Sequence, residues 1–243
     1  MIFDFEELDY QQTPLGEISL RRRAEPRLDG KIVYEVKLGE EFLMSSLFTA
    51  AEIALARLGL AALEGDDWDV VVGGLGLGYT AAAALENPLL GSLTVIDVMA
   101  PVIDWHRRGL VPLGETLVAD PRCRLVEADF FAVAAGNRGF ESAVPVPLVH
   151  AVLLDIDHTP GHWLNPGNST FYSERGLADM AAKLHAGGVF GLWSDDPPDA
   201  TFIQLLERTF TTAEAHVVDF ANPYTGGEST NTVYLAQKHG KRQ

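Results

Sequence analysis

The feature that most constrains this chain is Val70-Val71-Val72-Gly73-Gly74-Leu75-Gly76-Leu77-Gly78-Tyr79-Thr80, followed at the end of the next apolar run by Asp97. A β-branched run that breaks into alternating glycines and then into Ala81–Ala84 predicts a strand, a tight turn and a helix. Gly74, Gly76 and Gly78 let the backbone turn sharply and let a ligand lie where a Cβ would intrude. Asp97, at the tip of Leu93-Thr94-Val95-Ile96, is placed to accept both hydroxyl hydrogens of a ribose. Together they imply a nucleoside site.

What is missing narrows the ligand. No Lys or Arg occurs from Leu58 to His106, so nothing resembles a phosphate-binding P-loop. A dinucleotide fingerprint wants Gly or Ala three residues after its second glycine, and Tyr79 stands there. The tighter Gly74-x-Gly76-x-Gly78 form suits S-adenosylmethionine or its decarboxylated form. A dinucleotide site and a glycine turn that binds nothing are the alternatives.

At 243 residues the chain can bury one sizeable core and carry a small appended element. Its 47% hydrophobic and 21% charged residues are those of a soluble globular protein. No apolar run approaches the ~20 residues that span a bilayer, and the acidic N-terminus is unlike a signal peptide. A single cysteine, Cys123, excludes an internal disulfide framework and reads as a small core residue on a strand. A cytoplasmic location is expected. The net charge of −16 argues against nucleic acid as a partner. Arg21-Arg22-Arg23 reads as charge guarding an exposed sheet edge.

Residues 1–48 read as an N-terminal antiparallel β-element, with strands at Gly16–Leu20, Ile32–Leu38 and Glu41–Met44. Thr49-Ala50-Ala51-Glu52 has the form of a capping box opening a helix to about Leu63. Residues 49–243 read as an α/β domain of Rossmann-like methyltransferase type. Strands fall at Asp69–Gly73, Leu93–Asp97, Arg122–Glu127, Leu148–Asp155, Val189–Trp193, Ala213–Asp219 and Asn231–Gln237. Helices are predicted near Gly78–Glu86, Val102–Leu110, Ser173–Leu184 and Ala200–Phe210. Interleaving predicts a mostly parallel seven-stranded sheet covered on both faces, ending in an antiparallel hairpin. Asn137–Pro147 is a loosely patterned loop.

In such a sheet the ligand lies beyond the carboxyl ends of the strands. The residues there are the glycine turn, Asp97, Asp129, Asp155–His158 and Trp193–Asp196. Crowded carboxylates call for a cation, either a metal or a polyamine. Asp129 can meet the exocyclic amine of adenine or cap a helix over Phe130–Ala135. Asp155 can hold an incoming amine and take its proton. Asp157 and His158 can face the substrate, and His162 is an alternative base. Asp155, Asp195 and Asp196 could offer oxygen ligands to Mg²⁺, or Asp196 before Pro197-Pro198 could open a helix.

On these residues the chain resembles the spermidine synthase-like branch of class I S-adenosylmethionine-type transferases. The match is carried by Val72–Thr80, Ile96-Asp97, Val126–Asp129, Leu153–Asp157, Phe171–Ser173 and Ala186–Val189. The resemblance implies that the glycine turn and Asp97 hold the nucleoside, Asp129 meets the adenine, and Asp155 begins a gate loop and assists deprotonation of the attacking amine. It also implies a homodimer and transfer of an aminopropyl group from the decarboxylated donor to a small-molecule amine. The family's gate loop carries two aspartates three apart; here Asp157 comes one position early and His158 takes the expected place. The Tyr-His and Gln of its amine pocket have no counterpart in Leu43–Phe48, which leaves the acceptor open. A methyltransferase, Mg²⁺-assisted through Asp155, Asp195 and Asp196, is the second reading. A non-catalytic dimeric relative is the third.

Overall fold

Alternate residues of the central strands serve two different cores, which is what a sheet covered on both faces requires. The structure, a computed structural model, describes residues 5–140 and 147–240. Part of the loop expected at 137–147 therefore lies outside the described residues. The main sheet holds β5 (Trp68–Gly73), β6 (Leu90–Asp97), β7 (Cys123–Glu127), β8 (Val149–Leu154), β9 (Leu184–Ser194), β10 (Thr212–Asn222) and β11 (Gly227–Gln237). Their order is β10-β11-β9-β8-β5-β6-β7. The pairs among β5 to β9 are parallel, while β11 runs antiparallel to both β9 and β10. The sheet and its terminal hairpin match the sequence reading.

Val70, Val72, Ala151, Leu153, Val233 and Leu235 face one core. Val71, Val152, Leu154, Tyr234 and Ala236 face the other. Against the first pack α1 (Ala50–Ala61), α2 (Tyr79–Leu85) and α3 (Ala100–Arg107), and against the second α5 (Phe130–Ala135), α6 (Glu174–Ala181) and α7 (Ala200–Glu207). The short α4 (Gly114–Ala119) joins α3 to β7 and buries Leu117. Helix starts follow local chemistry. Ser173 Oγ accepts from the Gly176 amide at 3.2 Å, and Asp199 accepts from the Thr201 amide at 2.8 Å. Asp199, not Asp196, therefore opens α7. At α1, Thr49 makes no side-chain cap, and Glu52 is buried instead of folding back on the helix end. The expected capping box does not form.

The N-terminal sheet has four strands, β1 (Phe5–Thr13), β2 (Gly16–Glu25), β3 (Lys31–Leu38) and β4 (Glu41–Ser45), in sequential antiparallel order. β1 was not expected from its acidic sequence. Its presence corrects the reading of Arg21–Arg23, because β2 lies inside the sheet between β1 and β3. The arginines do not guard an edge; they pair across strands. Arg21 and Arg23 contact Glu35 at 2.7 and 2.8 Å, Arg22 contacts Glu6 at 2.7 Å, and Arg23 contacts Glu25 at 2.6 Å. Ile18, Leu20 and Val36 join the same core as α1 and the central strands, so this sheet is continuous with the main body.

Two polar ties fix it there. Trp105 of α3 is fully buried and donates its indole N–H to Asp9 at 2.6 Å. At the hairpin tip, Arg23 donates to Tyr224 Oη at 2.6 Å, and that hydroxyl donates to Glu25 at 2.8 Å. Glu25 is 4% exposed, so each donor it loses leaves desolvated charge uncompensated. Tyr224→Phe, which deletes only the hydroxyl, is expected to cost about 1–2 kcal/mol. The melting temperature should fall by roughly 2–6 °C. An unchanged melt would show that this junction carries no stability.

Candidate functional site

The site begins at the glycine turn between β5 and α2. Gly74 has φ of +94°, a left-handed conformation, and a Cβ there would overlap the Asp155 carbonyl oxygen. The turn is held from several sides. The Gly74 amide donates to Ile96 O at 2.9 Å, and the Asp155 amide donates to Gly73 O at 2.8 Å. Met44 of β4 lies so close that a Cβ on Gly76 would overlap its sulfur, and Met44 Sδ accepts from the Leu77 amide at 3.0 Å.

Behind the turn, His106 is 1% exposed and its Nε2 lies 2.9 Å from Gly76 O. A carbonyl only accepts, so Nε2 carries the proton. Nδ1 is buried with no partner among the described residues. Burial lowers the pKa of this histidine, and it stays neutral.

Above the turn is a cavity of about 670 Å³, within the usual size range of ligand sites. Its mouth is at the carboxyl ends of β5 and β8, where strand order reverses, as the open-sheet rule requires. One end is lined by Gly74, Gly76, Asp97, Val98, Asp129 and Phe131. Asp97 accepts from the Leu75 amide at 2.8 Å and the Met99 amide at 2.7 Å. Burial raises its pKa against the pull of these amides. Each oxygen keeps further accepting capacity toward the cavity. Asp129 caps α5, its Oδ1 accepting from Phe131 and Ala132 at 2.9 and 3.1 Å. It also lines the cavity, so capping α5 does not remove it from the site.

The other end is lined by Phe48, Glu52, Asp155, Trp193, Asp195 and Phe220. Thr80 Oγ1 donates to Asp155 Oδ2 at 2.8 Å, and Asn231 Nδ2 donates to Asp195 Oδ1 at 2.7 Å. Burial pushes Asp155 up to about 6, and burial together with the Asp155 and Asp195 charges pushes Glu52 up to about 8. His158 also lines the cavity, with Nε2 2.7 Å from Glu41 Oε1. Roofing comes from the N-terminal sheet through Leu15, Val36, Leu38, Phe42, Leu43 and Met44.

Two expected site residues are placed elsewhere. Asp157 is 1% exposed and absent from the cavity lining. It accepts from the Leu164 amide at 2.8 Å, Asn168 Nδ2 at 2.9 Å and Tyr172 Oη at 2.9 Å, tying the loop after β8 into the core. Asp196 does not line the cavity either. Among the described residues no three His, Cys, Asp or Glu side chains are grouped as metal ligands, so Asp155, Asp195 and Asp196 do not form the Mg²⁺ set considered above. Glu52, in contrast, was read only as a capping residue. An acidic residue in a first helical turn gives no signal of facing a cavity.

Neither a family model nor a curated protein matches this sequence. The fold does match solved structures. A spermidine synthase in complex with the transition-state analogue AdoDATO superposes with a TM-score of 0.73 at 17% identity, over 96% of this chain and 73% of that one. The fold is spermidine synthase-like. The spermidine synthase from Thermotoga maritima gives 0.71 at 15% identity, over 96% and 72%. A probable spermidine synthase from Corynebacterium glutamicum gives 0.62 at 15% identity, over 94% and 79%. Among the described residues no helix is long and apolar enough to cross a membrane.

The raised carboxylates have a consequence for stability. Above about pH 4.3 an unfolded chain has lost the Glu52 proton that the folded protein still holds. Stability contributed by that proton is complete below this pH and is lost as pH rises through about 6 for Asp155 and about 8 for Glu52. Glu52→Gln keeps the shape without the charge. Its melting curve should coincide with wild type at pH 4 and lie roughly 2–6 °C higher at pH 9. Equal melting at both pH values would mean that Glu52 is not a destabilised carboxylate.

Proposed function

We propose that this chain is an aminopropyltransferase that binds decarboxylated S-adenosylmethionine and alkylates a small-molecule amine. One observation carries the reading. The described residues lining the cavity include five carboxylates, Glu52, Asp97, Asp129, Asp155 and Asp195, and no Lys or Arg. The decarboxylated donor brings two positive charges, a sulfonium and an ammonium, and the acceptor amine brings a third. S-adenosylmethionine adds a carboxylate instead. Each approach of that group to a fixed carboxylate at 4 Å costs about 4 kcal/mol at an effective dielectric of about 20. That outweighs most single contacts its tail could make. The spermidine synthase-like fold agrees with this reading.

Within it, the turn of Gly74, Gly76 and Gly78 carries the nucleoside, Asp97 takes the ribose hydroxyls and Asp129 the adenine amine. Asp155 accepts a proton from the acceptor ammonium. The freed nitrogen lone pair attacks the carbon attached to sulfur. The new N–C bond forms as the C–S bond breaks, its electron pair going to sulfur, which leaves as a neutral thioether; the product nitrogen is a secondary ammonium. A raised carboxylate such as Asp155 is a better proton acceptor than one of ordinary pKa. Alignment of nitrogen, carbon and sulfur supplies the remaining acceleration. His158, paired with Glu41, lines the same cavity as the base.

Calorimetric titration with both nucleosides tests the assignment. The decarboxylated donor should bind at least about tenfold more tightly than S-adenosylmethionine, a margin of roughly 1.4 kcal/mol. With 1,4-diaminobutane or n-butylamine added, methylthioadenosine should form, and Asp155→Asn should slow this about 10²-fold or more while leaving donor affinity nearly unchanged. Preference for S-adenosylmethionine, a methylated product, or binding of neither nucleoside would overturn it.

A further inference from the structure

The acidic end of the cavity contains a group to which neither the glycine motif nor the gate loop gives a role. Glu52 is 8% exposed and lines the cavity. Its two acidic neighbours each have a neutral donor, Thr80 for Asp155 and Asn231 for Asp195. No other described residue donates to the Glu52 carboxylate, and no Lys or Arg lines the cavity beside it. The groups whose charges it feels are Asp155, Asp195 and Tyr79, none of them cationic. A buried carboxylate in that position is unfavourable until a cation arrives. Among the described residues lining the cavity there is no Lys or Arg, and His158 is taken by Glu41, so the cation must come from a ligand.

Counting charges narrows that ligand. The donor's sulfonium and ammonium and the acceptor's reacting nitrogen are three cations set against three carboxylates, Glu52, Asp155 and Asp195. The remaining lining carboxylates, Asp97 and Asp129, belong to the opposite end beside the glycine turn. A second ammonium on the acceptor would find no free acid, since His158 is paired with Glu41 and Asp157 is enclosed in its loop. Besides the neutral Asn222, Ser229, Thr230 and Asn231, the lining on this side of the cavity is aromatic. Phe48 lies just ahead of α1, its ring centroid is 5.5 Å from that of Phe220, and Trp193 also lines the cavity. These rings present apolar surface that a hydrocarbon body would cover.

We propose that Glu52 completes an ammonium seat with Asp155 and Asp195, and that the acceptor is a monoamine with its nitrogen in that seat and an uncharged body against Phe48, Trp193 and Phe220. This rests on the aminopropyl-transfer reading and adds the class of acceptor. Burial against the two aspartates already raises the Glu52 pKa, so an arriving ammonium draws the group into its charged form.

The test uses the whole chain with the decarboxylated donor and three probes, n-butylamine, 2-phenylethylamine and 1,4-diaminobutane. Both monoamines should show kcat/KM at least about tenfold above the diamine. Glu52→Gln should raise the n-butylamine KM about tenfold or more, a larger loss than that in donor affinity, with kcat within about threefold, and Glu52→Asp should recover part of the loss. Asp195→Asn, still able to hydrogen-bond Asn231, gives a second readout if Glu52→Gln folds poorly. A preference for the diamine, an unchanged amine KM in both variants, or a loss of donor affinity in place of amine affinity would overturn the proposal. A wild-type protein that binds the donor and turns over the diamine best would sink this inference alone. Failure to bind the donor would sink the aminopropyl-transfer reading, and this one with it.

Discussion

The turn between β5 and α2 is the constraint on which the site depends. Its residues are held through backbone groups from four directions, by Ile96 O of β6, the Asp155 amide after β8, His106 of α3 and Met44 of β4. A turn anchored in this way has one conformation, and Gly74 must sit at positive φ to fit beneath the Asp155 carbonyl. The cavity inherits its shape from that conformation. Because the strand order reverses next to β5, the acidic tips of β6 and β8 fall on either side of the same turn.

Charge is distributed with the same economy. The three arginines of β2 are consumed by Glu6, Glu25 and Glu35 within the N-terminal sheet. They stabilise the roof of the cavity without entering it. The carboxylates that do enter are held by hydroxyls, amides and backbone N–H groups, which orient them without cancelling their charge. The resulting field favours cations, and the low local dielectric strengthens that preference. Glu52 is the exception, receiving no donor beyond its own backbone N–H.

Much of this was legible in the residues. Short continuous apolar runs, among them Val70–Val72, Ala151–Leu154 and Val233–Ala236, marked strands buried on both faces, and successive residues of each run serve the two cores in turn. Acidic residues at strand ends could be assigned to one edge, because parallel strands all finish on the same side. β1 was missed because its own residues hold no apolar run; it is completed by pairing with the next strand, where Arg22 of β2 meets Glu6. Asp157 and Asp195 are both aspartates just past strand ends, yet Asp157 is enclosed by Asn168 and Tyr172 whereas Asp195 remains at the cavity. Nothing local distinguishes them.

By itself the sequence determined the sheet type, the terminal hairpin, the place of the glycine turn and the acids flanking it. These follow from residue periodicity, from backbone freedom at glycine and from chain order, all of them local properties. Tertiary structure alone decided which carboxylates share one cavity, that Glu52 turns inward where a helix cap was expected, and that the arginines are spent inside a sheet. Those outcomes depend on distances between residues far apart in the chain, which only the packed fold sets.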